Sequence, residues 1–137
     1  MAMPKTPLLT TDAIILDENN NVVLIKRMNE PYKDSWAIPG GFVEIGETVE
    51  ESCIREAKEE TNLDVEIISL VGVYSKPERD PRGHTVSIAF LTKSLSNNMK
   101  ADSDAKEVKK VNIKDISNID LAFDHKEIMT DTITLIK

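Results

Sequence analysis

The stretch GFVEIGETVEESCIREAKEETNL, from Gly41 to Leu63, constrains the fold more than any other part of the chain. Thr48 with Glu51 three residues on is a capping box, which starts a helix by satisfying its first free N–H groups. Asn62 suits the left-handed residue that ends one. The spacing predicts a helix over about Thr48–Thr61. Seven residues of the stretch are glutamates: Glu44, Glu47, Glu50, Glu51, Glu56, Glu59 and Glu60. Like charges three or four apart on a helix repel by about 0.2–0.5 kcal/mol per pair, so the direction in which these side chains point decides what the helix is for.

A helical wheel separates them. With Val49 at zero and about 100° per residue, Cys53 falls near 40° and Ala57 near 80°. Glu60 falls near 20° and Glu56 near 340°, so both carboxylates share the apolar stripe with Val49 and Cys53. Glu59 lies on the flank near 280°, while Glu51, Lys58 and Arg55 face away, at roughly 180–240°. Two carboxylates on a protein-facing stripe are costly unless neutralised or hydrogen-bonded. A divalent cation with a preference for oxygen removes the conflict, as do lysines from elsewhere in the chain or protonation of the carboxylates.

The rest of the chain supplies strands. Thr11–Leu16 and Val22–Lys26 are β-type runs around the turn cluster DENNN, which predicts a hairpin. WAIPGGF is a short apolar piece whose paired glycines imply tight backbone geometry or the close approach of another group. Val65–Ser75, Thr85–Thr92 and Val108–Ile113 read as further strands, separated by the polar loops KPERDPRG and SLSNNMKADSDA. Phe123–Ile136 reads as a closing helix with Asp124 as its cap and Ile128, Met129, Ile133 and Ile136 on its buried side. Strands flanking and following a central helix predict an α/β domain with a mixed sheet between helices.

The 137 residues fit one domain, 1–137, with a core that needs no staples. Cys53 is the single cysteine, so no internal disulfide forms, and the expectation is a cytoplasmic protein with Cys53 as an inert core thiol. There is no apolar run near the length of a membrane span and no leader-like apolar segment at the start. A net charge of −7 opposes a broad nucleic-acid surface. It leaves room for a small phosphorylated ligand, with a cation standing between ligand and protein.

The motif itself resembles a family signature. Gly41, five residues, Glu47, seven residues, then Arg55-Glu56-Ala57-x-Glu59-Glu60-x-Asn62-Leu63 is similar to the Nudix box, G-x5-E-x7-R-E-U-x-E-E-x-G-U. Asn62 stands where the family has glycine, and asparagine tolerates the left-handed region. The resemblance implies a Nudix-type α/β/α sandwich with a central mixed sheet, and hydrolysis of a nucleoside diphosphate linked to another moiety with Mg²⁺ or Mn²⁺. It makes Glu56 and Glu60 metal ligands, Glu59 a ligand or base, and the carbonyl of Gly40 a further ligand. Arg55 then orients the carboxylates together with Glu47. The general base of related enzymes often follows the box. Here KADSDAKE offers Asp102, Asp104 and Glu107, of which Asp104 and Asp102 are favoured; the loop reads equally well as a solvated acidic segment.

Outside the box, GVYSKPERDPRGHTVSIAFL and LAFDH resemble the ADP-ribose pyrophosphatase branch, in which a proline follows the box by about the interval that separates Pro77 from Asn62. Arg79 and Arg82 around Asp80-Pro81 could grip phosphate and ribose, or form a rigid turn with an internal Arg–Asp pair. Arg27 is the better phosphate candidate beside Lys26. Trp36 fits a core position better than adenine stacking, and Tyr32 and Tyr74 are open between the two. His84 and His125 fit local hydrogen bonds better than catalysis. The expected partner is a small nucleoside diphosphate derivative, and the resemblance leans toward a homodimer. The rival readings are an oxidised or ordinary nucleoside triphosphate, a dinucleotide polyphosphate, and a domain that senses ADP-ribose without cleaving it.

Overall fold

The computed structural model describes residues 2–137. Its centre is strand β1, Leu8–Leu16, whose residues from Thr11 to Ile15 are all buried. Alternate side chains of β1 go to opposite layers: Ala13 and Ile15 to one core, Ile14 to the other. Strand β2, Asn21–Arg27, does the same, with Val23 on one side and Val22 and Leu24 on the other. Burial on both faces, with the pleat's period of two, makes this the middle layer of a sandwich. The hairpin forms as expected, with Asn20 in the left-handed region and the Asp17 carboxylate accepting from the amides of Asn19 and Asn21.

Two short strands escape the sequence pattern: β3, Trp36–Ala37, and β4, Gly40–Phe42. They are followed by helix α1, Val49–Thr61, then β5, Val65–Tyr74, β6, Thr85–Ser94, β7, Ala105–Asn112, and helix α2, His125–Ile136. The sheet runs β3-β2-β1-β6-β5, with β4 paired to β1 and β7 paired to β2. The β1–β6 pair is parallel and the other strand pairs are antiparallel, so the sheet is mixed, as predicted. On one edge β1 holds β6 along its whole length. On the other it is shared: Thr10–Asp12 pair with β4, while Leu16 pairs with β2.

Helix α1 begins with both halves of the capping box and ends on Asn62 at φ 64°. Its inner face packs Cys53 and Ala57 against Ala13, Ile15, Val23 and Phe90. Cys53 is buried, and burial pushes its thiol up to about 12, so it is unreactive. Helix α2 packs Ile128 and Met129 into the opposite core with Ile14, Leu24 and Leu91. Asp124 does not cap α2 through its side chain; that carboxylate is taken by Arg79 instead. Trp36 is half-buried against the α2-side core, with Lys109 over its ring at 4.0 Å. Among the described residues no helix is long and apolar enough to cross a membrane.

Candidate active site

The divergence of β2 and β4 from one edge of β1 opens a cavity of about 390 Å³. Helix α1 forms one wall. Glu60 is 6% exposed, and its Oε1 accepts from the Gly40 N–H at 2.8 Å. Among the described residues that is the only hydrogen bond to its carboxylate. Burial pushes Glu60 up to about 8, with Glu56, Asp104 and Asp12 adding to the effect against the Gly40 hydrogen bond. Glu56 is raised by burial and held back by Arg55. The two glutamates therefore do turn inward, and burial favours the protonated form of Glu60. Among the described residues no lysine pairs with them.

The paired glycines are explained by close approach, since neither has a positive φ. A Cβ on Gly41 would lie 2.5–2.6 Å from the Glu56 carboxylate. One on Gly40 would collide with the Thr11 carbonyl and lie 2.6 Å from Asp12 Oδ1.

The wheel sends Arg55 away from the acids, and here the structure differs. The wheel describes where Cβ points; the long side chain curls back along the helix. Arg55 donates to both oxygens of Glu47 at 2.7 and 3.0 Å, to Glu56 at 2.8 Å, to Glu59 at 3.1 Å and to the Phe42 carbonyl at 3.1 Å. These contacts raise Arg55, and they hold Glu47 down at about 2. Arg55 thus touches Glu47, Glu56 and Glu59 at once. Glu59 is 45% exposed and is not among the residues that line the cavity.

The opposite lip carries the cations. Arg27 donates from Nε to the Pro31 carbonyl at 2.7 Å, stands 5.0 Å above the Phe123 ring, and has no carboxylate partner among the described residues. Burial lowers its pKa, and the nearby charge of Arg82 lowers it further. Arg82 stands over the rings of Phe42 and Phe123 at 5.2 and 5.6 Å. It pairs with Asp80, whose hydrogen bonds from Arg82 outweigh burial and keep it below the usual carboxylate range. The two guanidinium groups share the Phe123 ring, and of the two only Arg82 has a carboxylate partner among the described residues.

Other expected residues are placed less directly. Arg79 lines the cavity, but its three nitrogens are committed, two to Asp124 at 2.6 and 2.9 Å and one to the Thr85 hydroxyl at 3.0 Å. Burial lowers its pKa and the Asp124 pair more than restores it. These bonds brace the start of α2. Pro77 is exposed and outside the cavity lining. Of the loop acids, Asp104 faces the cavity and Asp102 does not, because Ser103 at φ 52° turns the chain between them. Glu107 pairs with Lys26 at 3.3 Å. Tyr32 stacks on Phe123 at 4.8 Å, and the Tyr74 hydroxyl donates to Asp131 away from the cavity. Asp12, Phe42 and Phe123 line the cavity and were not singled out by pattern; the only sequence signal for Phe123 and His125 is their place in LAFDH.

A helix of glutamates facing guanidinium groups across a polar cavity, in an α/β/α sandwich, defines the class of α/β phosphohydrolases. The chain belongs to the Nudix family: the family model for the NUDIX domain matches residues 6–132. It is 49% identical over 125 residues to an ADP-ribose pyrophosphatase of Methanocaldococcus jannaschii, covering 91% of this chain and 72% of that protein. Its fold superposes on the NUDIX domain of Shewanella oneidensis NrtR complexed with ADP ribose, with a TM-score of 0.86, 25% identity, and coverage of 97% and 90% of the two chains. A bifunctional NMN adenylyltransferase/ADP ribose pyrophosphatase of Francisella tularensis, complexed with AMP and a Mn ion, gives a TM-score of 0.82 at 32% identity, over 99% of this chain and 44% of that one.

The donor set suits a hard divalent cation. Glu56, Glu59 and Glu60 offer only oxygen, and Glu60 is buried with one hydrogen bond and a raised pKa. Among the described residues no three acidic, histidine or cysteine side chains form a ready-made cage. Mg²⁺ needs none, since it keeps waters and takes substrate phosphates as ligands.

Proposed function

We propose that this chain hydrolyses the diphosphate of ADP-ribose to AMP and ribose 5-phosphate, with Mg²⁺ or Mn²⁺ held by Gly40, Glu56, Glu59 and Glu60. The observation that carries the reading is the opposition, across one cavity, of buried Glu60 and the carboxylate-free Arg27. The Methanocaldococcus jannaschii relative supports the choice of substrate.

When bound, the cation supplies charge neutralisation of the diphosphate and an acidified water. The chain does the rest. Arg27 and Arg82 hold phosphate oxygens, and Phe42 and Phe123 close the apolar side of the cavity. Arg55 keeps Glu56 and Glu59 in place. Asp104 takes the proton of the attacking water. The water oxygen adds to one phosphorus, the bridging P–O bond breaks, and two monophosphates leave.

The test is turnover of ADP-ribose with Mg²⁺, with product analysis, against EDTA and a panel of nucleoside triphosphates and dinucleotide polyphosphates. AMP and ribose 5-phosphate are expected, with loss of activity in EDTA and in Glu60→Gln. Binding without turnover supports the sensor reading; faster cleavage of a triphosphate replaces the substrate.

A further inference from the structure

We propose that His125 is a positioning residue for the divalent-cation site, acting through the backbone of Ile38–Gly40; the inference rests on the cation reading of Glu60. The chain leaves the edge of β2 at β3 and joins the edge of β1 at β4, and Ile38-Pro39 is the crossing between them. Backbone amides at such a crossing need partners. The Ile38 N–H donates to His125 Nδ1 at 3.0 Å, Pro39 has no N–H, and the Gly40 N–H donates to Glu60 at 2.8 Å. The step that carries Gly40 to the glutamate is thus fastened at one end by a histidine and at the other by the proposed ligand.

The chemistry of the ring follows from the amide. A backbone N–H can only donate, so Nδ1 is bare and the ring hydrogen sits on Nε2. Nε2 lies 3.6 Å from Asp12 Oδ1, and the other oxygen of Asp12 accepts from the Ser87 hydroxyl. Asp12 presses against Gly40 from beneath, where a Cβ would lie 2.6 Å from its Oδ1. Gly40 is therefore held between Asp12 and Glu60. Burial of His125 favours the neutral ring, the form able to accept from Ile38.

His125 is itself anchored to the same strands. The Ala122 N–H donates to the Trp36 carbonyl at 2.9 Å, Leu121 bridges Trp36, and Arg79 grips Asp124 with two hydrogen bonds. The start of α2 and the β3–β4 crossing are one rigid unit. Loss of the acceptor on His125 frees the Ile38 amide and lets Gly40 shift against Glu60. Changes to groups that orient metal ligands typically cost about 10–100-fold in metal affinity.

The experiment is Mn²⁺ titration calorimetry on the full chain without substrate, with thermal melts in EDTA. His125→Leu is expected to weaken Mn²⁺ by about 10-fold or more. His125→Asn, whose Oδ1 takes the place of Nδ1 as acceptor, is expected to restore most of that affinity. Met129→Ala, on the same helix and in the core, is expected to lower the melting temperature while leaving Mn²⁺ affinity unchanged. Wild-type affinity in His125→Leu overturns the proposal, as does equal weakening in a Met129→Ala protein of matched stability. If His125→Leu does not fold, His125→Gln keeps only the Asp12 side and is expected to bind more weakly than His125→Asn; the reverse order overturns the proposal. Wild-type protein that takes up no Mn²⁺, or binds it no better than Glu60→Gln, overturns the cation reading and this inference together, a result distinct from failure of the His125 variants alone.

Discussion

Gly40 N donates to Glu60 Oε1 at 2.8 Å, joining a backbone strand to a carboxylate that is only 6% exposed. One N–H is weak compensation for burial, and Glu60 rises from 4.5 to about 8. Between those values the folded protein binds more protons than the unfolded chain, so stability is full below pH 4.5 and declines as pH rises to about 8. Glu56 is raised as well and adds in the same direction. Glu47, held down at about 2, loses its contribution only on acidification below 4.5 and does not mask the trend. Metal-free protein is expected to lose stability from pH 6.5 to pH 8, by up to about 1.4 kcal/mol per pH unit for a single site; below pH 6.5 buried His125, whose pKa is lowered, contributes with the opposite sign. Mg²⁺ is expected to stabilise more at pH 8 than at pH 5, and Glu60→Gln to flatten both trends. Urea denaturation across this range checks it, and a level wild-type profile refutes it.

The two adjacent glycines should fail differently. An added Cβ on Gly41 meets the movable end of Glu56, so Gly41→Ala is expected to fold and lose activity by about 10-fold or more. On Gly40 it meets the Thr11 carbonyl, which is backbone, so Gly40→Ala is expected to cost about 1–3 kcal/mol of stability as well. Rates and melting curves of both variants decide the matter; equal stability of the two contradicts it.

Arg27 and Arg79 both line the cavity, but of the two only Arg79 has a carboxylate partner among the described residues. Arg27→Ala is expected to raise KM for ADP-ribose about 10-fold with little change in stability, because no carboxylate loses a partner. Arg79→Ala strands Asp124 in a largely buried setting and is expected to cost about 3 kcal/mol. Steady-state kinetics beside urea melts separate the two roles.

Asp104 and Asp102 are two residues apart, and only the former faces the cavity. If Asp104 receives the proton of the attacking water, Asp104→Asn lowers kcat by about 10²-fold or more with KM little changed. Asp102→Asn is expected to keep near-normal rates. Equal effects from both would point to loop mobility, not proton transfer.

Much of this was legible in the sequence because it is periodic or local. The capping box, the left-handed Asn62 and the inward pair Glu56–Glu60 follow from spacing alone, and the helix forms as read. Strands β3 and β4 were invisible, being two and three residues long and interrupted by Pro39. Arg55 was misplaced by the wheel because a long side chain can reach where its Cβ does not point. Arg79 could not be told from Arg82, since the choice depends on Asp124, a partner 45 positions later in the chain. His125 read as a local hydrogen-bonder, and its partner proved to be Ile38, 87 positions earlier.

The forked edge of β1 has a mechanical meaning. Arg27 ends β2 and Gly40 starts β4, and the two strands are tied together where they share β1 and through the short β3 step. The span between anion grip and acid cluster is therefore set by how far those strands splay. Substitutions along β1 that alter sheet twist would recalibrate that span, and with it the ligand length accommodated, while leaving every reacting group in place.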